Sequence, residues 1–164
     1  MNAFDPTPRS IAWVSESIDN ARFRFHPFSL YNYDGTLKLY LPRKHSNVSL
    51  SAQPGSNTLR ESLDVPCKRL QTVLEEFGFD GIDLLKMDIE GAELPLLDSC
   101  DFTGLKKMVV AYHVNYAPDP DELLRRIERL KTFFEKVEHK RLPKREAMAN
   151  KRVFPNEVML YCSN

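Results

Sequence analysis

Residues 82 to 93 read Ile82-Asp83-Leu84-Leu85-Lys86-Met87-Asp88-Ile89-Glu90-Gly91-Ala92-Glu93, and few folds accommodate such a segment. It begins as an apolar run, ends in alternating carboxylates, and passes through a glycine into a new helix signal. On a strand, Lys86, Asp88 and Glu90 share one side, and Leu85, Met87 and Ile89 share the other. Gly91 lets the backbone turn sharply or approach a ligand closely. In open α/β sheets, ligands sit beyond the carboxyl ends of the strands. The segment therefore reads as a buried parallel strand whose tip carries two acids.

The flanking sequence supplies the partners such a strand needs. Asn2-Ala3-Phe4 reads as the end of a strand, and Asp5-Pro6-Thr7-Pro8 as a turn with Thr7 as N-cap and Pro8 at the first helical position. Ile11, Val14 and Ile18 give the following helix an apolar stripe, and Phe23 and Phe25 alternate with polar residues as in a strand. Asp34-Gly35 predicts a hairpin between flanking strands. Residues 42 to 64 turn to Ser, Asn, Gln, Gly and Pro and read as a lid or a disordered loop. Leu70, Val73, Leu74 and Phe77 define an amphipathic helix closed by Gly78. A short helix follows from Ala92 to about Ser99. Lys107 to His113 reads as a second buried strand. Asp119-Pro120-Asp121-Glu122 opens a helix whose buried face is Leu123, Leu124, Ile127, Leu130, Phe134 and Val137. Strands near Glu138–Leu142 and Glu157–Cys162 complete an α/β pattern over residues 1–164, a single domain.

Composition narrows the partners. Lys plus Arg and Asp plus Glu number 23 each, so bulk charge gives no reason to expect nucleic acid. The balance is local: nine acids and one base from Glu75 to Asp101, against seven bases and two acids from Lys136 to Arg152. The basic stretch could meet an anionic acceptor through Lys144, Arg145, Lys151 and Arg152. No segment approaches the roughly 18 apolar residues of a membrane span, and the N-terminus has no signal-peptide pattern. Cys67, Cys100 and Cys162 are odd in number and widely spaced, which fits a reducing, cytoplasmic setting. The oligomeric state stays open.

Residues 82 to 93 resemble the hallmark of FkbM-family methyltransferases, which use S-adenosylmethionine. Ala3 to Pro8 resembles the acidic tip of that family's second strand, Leu70-Gln71-Thr72-Val73-Leu74 its helix entry, and His113 the histidine that ends its fifth strand. The similarity spans the chain, with Lys86 to Glu93 its distinctive part. It implies a Rossmann-like methyltransferase sheet, mostly parallel with an antiparallel C-terminal strand. It also implies methyl transfer to a hydroxyl of a small molecule or glycan. Asp5 would then accept hydrogen bonds from the donor's ribose hydroxyls, with Asp88 also on the donor side. Asp88 and Glu90 would orient the reacting groups and His113 would remove the proton, with these roles exchangeable.

Each residue also has a plainer account. Asp5 can be a turn and cap, Asp88 can pair with Lys86, Glu90 can cap the following helix, and His113 can be hydrogen-bonded structure. Asp88-x-Glu90 could bind a divalent cation, but no His or Asp cluster stands beside it in sequence, so no metal is expected. The chain departs from the family pattern at Ala111, where an acid is frequent, and at Gln71, where an aspartate is common. None of its six glycines forms the GxG of a donor loop. By analogy, the strand preceding that loop lies between the second and fourth strands. The chain is accordingly expected to lack that N-terminal portion and to expose two strand edges. A degenerate methyltransferase-like interaction module, without donor binding, is the alternative.

Overall fold

The computed structural model describes residues 1–42, 51–54, 58–117, 119–141 and 157–164. Strand β1 (Asn2–Phe4) leads through helix α1 (Pro8–Ser17) to β2 (Arg24–His26), which pairs parallel with β1. The predicted cap of α1 forms: the Thr7 hydroxyl oxygen accepts the Ser10 N–H at 3.3 Å, with Pro8 at the first helical position. Its apolar stripe buries nothing, however, and Trp13 is 59% exposed. Capping and the proline's fixed φ therefore define this helix more than packing does.

The second sheet corrects the hairpin expected at Asp34-Gly35. Strands β3 (Ser29–Leu30) and β4 (Gly35–Pro42) do not pair; β5 (Thr58–Lys68) lies between them, parallel to β3 and antiparallel to β4. Asp34 turns toward the end of β5 instead. Its carboxylate accepts the Arg69 N–H and Nε–H, each at 2.8 Å, and the Thr72 hydroxyl at 3.0 Å. An 11-residue strand gives β4 a long ladder that the two residues of β3 could not. The strand begins at Thr58, so residues 58–64 are ordered in a sheet rather than part of the loop expected from composition. Residues 43–50 and 55–57 of that loop lie outside the described residues.

Helix α2 (Leu70–Phe77) ends as predicted at Gly78, whose φ of 64° is the left-handed C-cap conformation. Strand β6 (Leu85–Met87), helix α3 (Glu93–Ser99), strand β7 (Lys107–His113), a 3₁₀ turn (Val114–Tyr116), helix α4 (Pro120–Leu130), strand β8 (Lys136–Arg141) and strand β9 (Glu157–Ser163) complete the chain. Their sheet runs β6-β7-β9-β8; β6 and β7 are parallel, and β9 is antiparallel to both neighbours. The fold is thus mixed α/β. A mostly parallel sheet does not describe it as a whole, because the β4–β5 ladder and both β9 ladders are antiparallel.

The core lies around β7 and β9, where Met108, Val110, Tyr112 and Leu160 are fully buried. Ile127 and Leu130 of α4 pack there, each worth roughly 1.5–3 kcal/mol of burial. Leu124, expected on the same face, is 53% exposed. The Arg126 guanidinium ties α4 to α3 and β7. It donates to both carboxylate oxygens of Asp98 at 2.8 and 2.7 Å, to Glu122 at 3.1 Å and to the Tyr112 hydroxyl at 2.9 Å. This clamp fixes α3, the helix whose first residue matters most below.

Among the described residues β1 pairs only with β2, and β6 only with β7. Residues of both strands line one groove of about 1650 Å³. No helix among the described residues is long and apolar enough to cross a membrane.

Candidate functional site

The end of β6 shows why its sequence alternates. Leu85 and Met87 are buried while Lys86 and Asp88 are exposed. The strand stops after Met87, and the chain then reverses over Glu90 (φ 47°) and Gly91 (φ 95°). A left-handed conformation at a residue with a Cβ costs about 1–2 kcal/mol and persists only where its surroundings hold it. Here the Glu90 carbonyl accepts the Ala52 N–H at 3.1 Å and the Ser51 hydroxyl at 3.0 Å, and Gln53 Nε2–H donates to the Gly91 carbonyl at 3.3 Å. The next position favours glycine, because a φ of 95° strains any residue with a Cβ. A Cβ on Gly91 would lie 3.0 Å from the Tyr116 ring.

The turn delivers Glu93 into the interior, where its side chain is 0% exposed. Its carboxylate accepts the Gly91 N–H at 2.8 Å, the His113 backbone N–H at 3.0 Å and the His113 Nδ1–H at 2.8 Å. Three N–H donors on one buried carboxylate offset its desolvation. They also fix the imidazole so that Nε2 is directed to the strand tips. Strand register explains the meeting. Met87, the last residue of β6, stands opposite Val110, three residues before the end of β7 at His113, so the turn after β6 and the end of β7 come together.

His113 Nε2 lies 3.5 Å from Glu90 Oε2 and 4.0 Å from Asp88 Oδ1. The imidazole is 5% exposed, Glu90 31% and Asp88 50%, so the cluster grades from core to solvent. Lys86 Nζ approaches Asp88 Oδ2 at 3.4 Å from the exposed side. Three carboxylates around one imidazole create a strongly negative point. At an effective dielectric of about 20, two unit charges 4 Å apart interact by about 4 kcal/mol.

The structure therefore brings Asp88, Glu90 and His113 together. Asp88 also pairs with Lys86, as its plainer account has it, whereas the acid in the first turn of α3 is Glu93 rather than Glu90. Asp5 lines the same groove as Asp88 and Glu90. Its two oxygens accept the Thr7 N–H at 2.8 Å and the Ser10 hydroxyl at 2.6 Å, so it braces the turn that leads into the Thr7 cap of α1, and each oxygen retains a second acceptor site. At the departures, Ala111 is buried, and a carboxylate beside His113 comes from Glu93. Gln71 is exposed and donates to Glu75. Lys144, Arg145, Lys151 and Arg152 lie outside the described residues.

Glu93, Tyr116 and the Ser51–Gln53 clamp escape the sequence pattern. The available signal for Glu93 is its setting between Ala92 and Leu94, which makes a solvated helix start improbable. Nothing local marks residues 51–53.

The family of the methyltransferase FkbM domain matches this chain over residues 3–141. No curated protein and no solved structure matches it.

Proposed function

This chain belongs to the FkbM methyltransferase family, and on that premise we propose a Rossmann-like domain that passes a methyl group from S-adenosylmethionine to a hydroxyl of a small molecule or glycan. The observation that carries the proposal is the convergence of Asp88, Glu90 and His113 at the ends of two adjacent strands, beside a groove that also holds Asp5. Carboxylates on that wall fit a donor bearing ribose hydroxyls and an ammonium group, since both are hydrogen-bond donors. When bound, S-adenosylmethionine supplies an electrophilic methyl group on a sulfonium.

The chain's own residues then have separable tasks. Asp5 would accept from the ribose hydroxyls, and Asp88, at the end of β6, would take the donor's amine. Glu90 and His113 hold the acceptor hydroxyl and manage its proton, which is poorly acidic in water and must leave during transfer. Glu93 keeps the imidazole at a fixed angle, so that acceptor and donor meet in a restricted geometry.

Calorimetric titration of S-adenosylmethionine into this chain, alone and extended at its N-terminus by a strand and glycine-rich turn, tests the donor assignment. Heat of binding to either form supports it. Binding to neither refutes it and leaves the interaction-module alternative. In whichever form transfers a labelled methyl group, Asp88→Asn or Glu90→Gln should lower turnover by about two to four powers of ten. Full activity in both variants would move the chemistry elsewhere.

A further inference from the structure

We propose that Asp88, Glu90 and His113 form a divalent-cation site of the manganese(II) or zinc(II) class. Its existence rests on the geometry; its role in activating the acceptor hydroxyl rests on the methyl-transfer reading above. One ligand atom from each residue lies within 4.8 Å of the others. Donors about 2.1 Å from a shared ion are about 3.0–3.4 Å apart when adjacent, and about 4.2 Å when opposite. The separations from His113 Nε2, 3.5 Å to Glu90 and 4.0 Å to Asp88, fall near that range. Both carboxylates remain partly solvated.

The histidine is presented as a metal ligand is. Its Nδ1–H is held by Glu93, a buried carboxylate, which leaves Nε2 as the nitrogen aimed at the two acids. A carboxylate behind a ligating imidazole fixes its orientation and raises its basicity. Glu90 reaches the cluster from a left-handed backbone held by residues 51–53, the kind of strain that concentrates at functional sites. The mixed donor set decides the class. Carboxylates alone suit magnesium, calcium or manganese, whereas an imidazole suits iron or zinc, so a mixed set is open to manganese from its oxygens and to zinc from its nitrogen. Three protein ligands leave coordination positions open, as catalytic sites do.

An acceptor hydroxyl in an open position would lose its proton to water more readily, because the ion stabilises the resulting alkoxide. With the ion bound, His113 would serve that deprotonation as the ion's ligand, in place of taking the proton directly. The sequence argued against a metal because no histidine stands near Asp88-x-Glu90; the parallel β6–β7 pairing supplies one.

Manganese(II) titrated into chelator-treated full chain, followed by loss of the free-ion paramagnetic resonance signal, tests the site. One ion bound per chain is expected, with affinity at least tenfold weaker in Asp88→Asn and Glu90→Gln. Asp83→Asn, which removes an exposed acid of the same run, should bind like wild type, and zinc should displace manganese where magnesium does so poorly. Absence of binding up to millimolar manganese, or undiminished binding in the Asp88→Asn/Glu90→Gln double variant, overturns the site. Chelator-insensitive methyl transfer without manganese binding refutes the cation and leaves the transferase. Manganese binding without methyl transfer supports the site and counts against the transferase instead.

Discussion

Replacing Glu93 by glutamine keeps the shape of the side chain and changes what it can accept. The carboxylate takes three N–H groups, from Gly91 at 2.8 Å and from the His113 backbone and ring at 3.0 and 2.8 Å. The best glutamine rotamer keeps its oxygen on His113, which turns its NH₂ against the Gly91 N–H. One hydrogen bond to a charged acceptor, worth about 1.5–3 kcal/mol, is lost, and the two retained bonds weaken with the charge. Relief of the buried charge's desolvation offsets part of this. The expected net loss is about 2–4 kcal/mol. A domain of this size has roughly 5–15 kcal/mol in hand, so Glu93→Gln should still fold. With an m-value of about 2 kcal/mol/M in urea, the midpoint should fall by about 1–2 M at unchanged slope. Because Glu93 orients a proposed metal ligand, manganese affinity should also drop by about 10–100-fold in the folded variant. A midpoint shift equivalent to less than about 1 kcal/mol would show that the carboxylate's burial cost cancels its three contacts. The positioning argument would then fail.

Gly91→Ala places a Cβ 3.0 Å from the Tyr116 ring at a φ of 95°, so it should cost about 1–3 kcal/mol and lower the melting temperature by about 3–10 °C in calorimetry. An unchanged melting temperature would show that Tyr116 swings aside freely. Burial pushes the Cys162 thiol up from about 9 to about 11. The unfolded chain therefore loses this proton first, and stability should fall as pH rises through that window, by about 1.4 kcal/mol per pH unit. Denaturation midpoints of wild type should drop more steeply from pH 9 to 11 than those of Cys162→Ala, and parallel curves would refute it.

What the sequence made legible was local. Gly78 after a 3.6-residue apolar pattern gave the end of α2, and Asp119-Pro120 gave the start of α4, because capping and φ restriction act within a few residues. The pairing of β4 was not legible. The chain does bend at Asp34 before β4 begins at Gly35, but the choice of partner depends on a strand some thirty residues away whose ladder is longer. Helix α1 marks the opposite limit. Its Thr7 cap and Pro8 start could be read, yet whether Ile11 and Val14 become buried depends on what stands opposite them.

The site divides along the same line, and the division bears on its chemistry. Asp88 and Glu90 could be found because strand alternation and Gly91 are adjacent in sequence. His113 could be placed at a strand end, but its distance to the acids follows from parallel register, which no local pattern encodes. Glu93 is the residue for which this matters most. Read locally it is an acid in the first turn of a helix, where it would interact with the exposed helix start. In the fold it is the buried partner of the imidazole, and it determines which ring nitrogen meets Asp88 and Glu90. With Nδ1–H committed to Glu93, the cluster presents a nitrogen and two carboxylates to the same point. Two acids alone would attract any hard cation, and an unanchored histidine would be a general base. Together they suit a divalent ion of the first transition row, manganese or zinc, over magnesium or calcium.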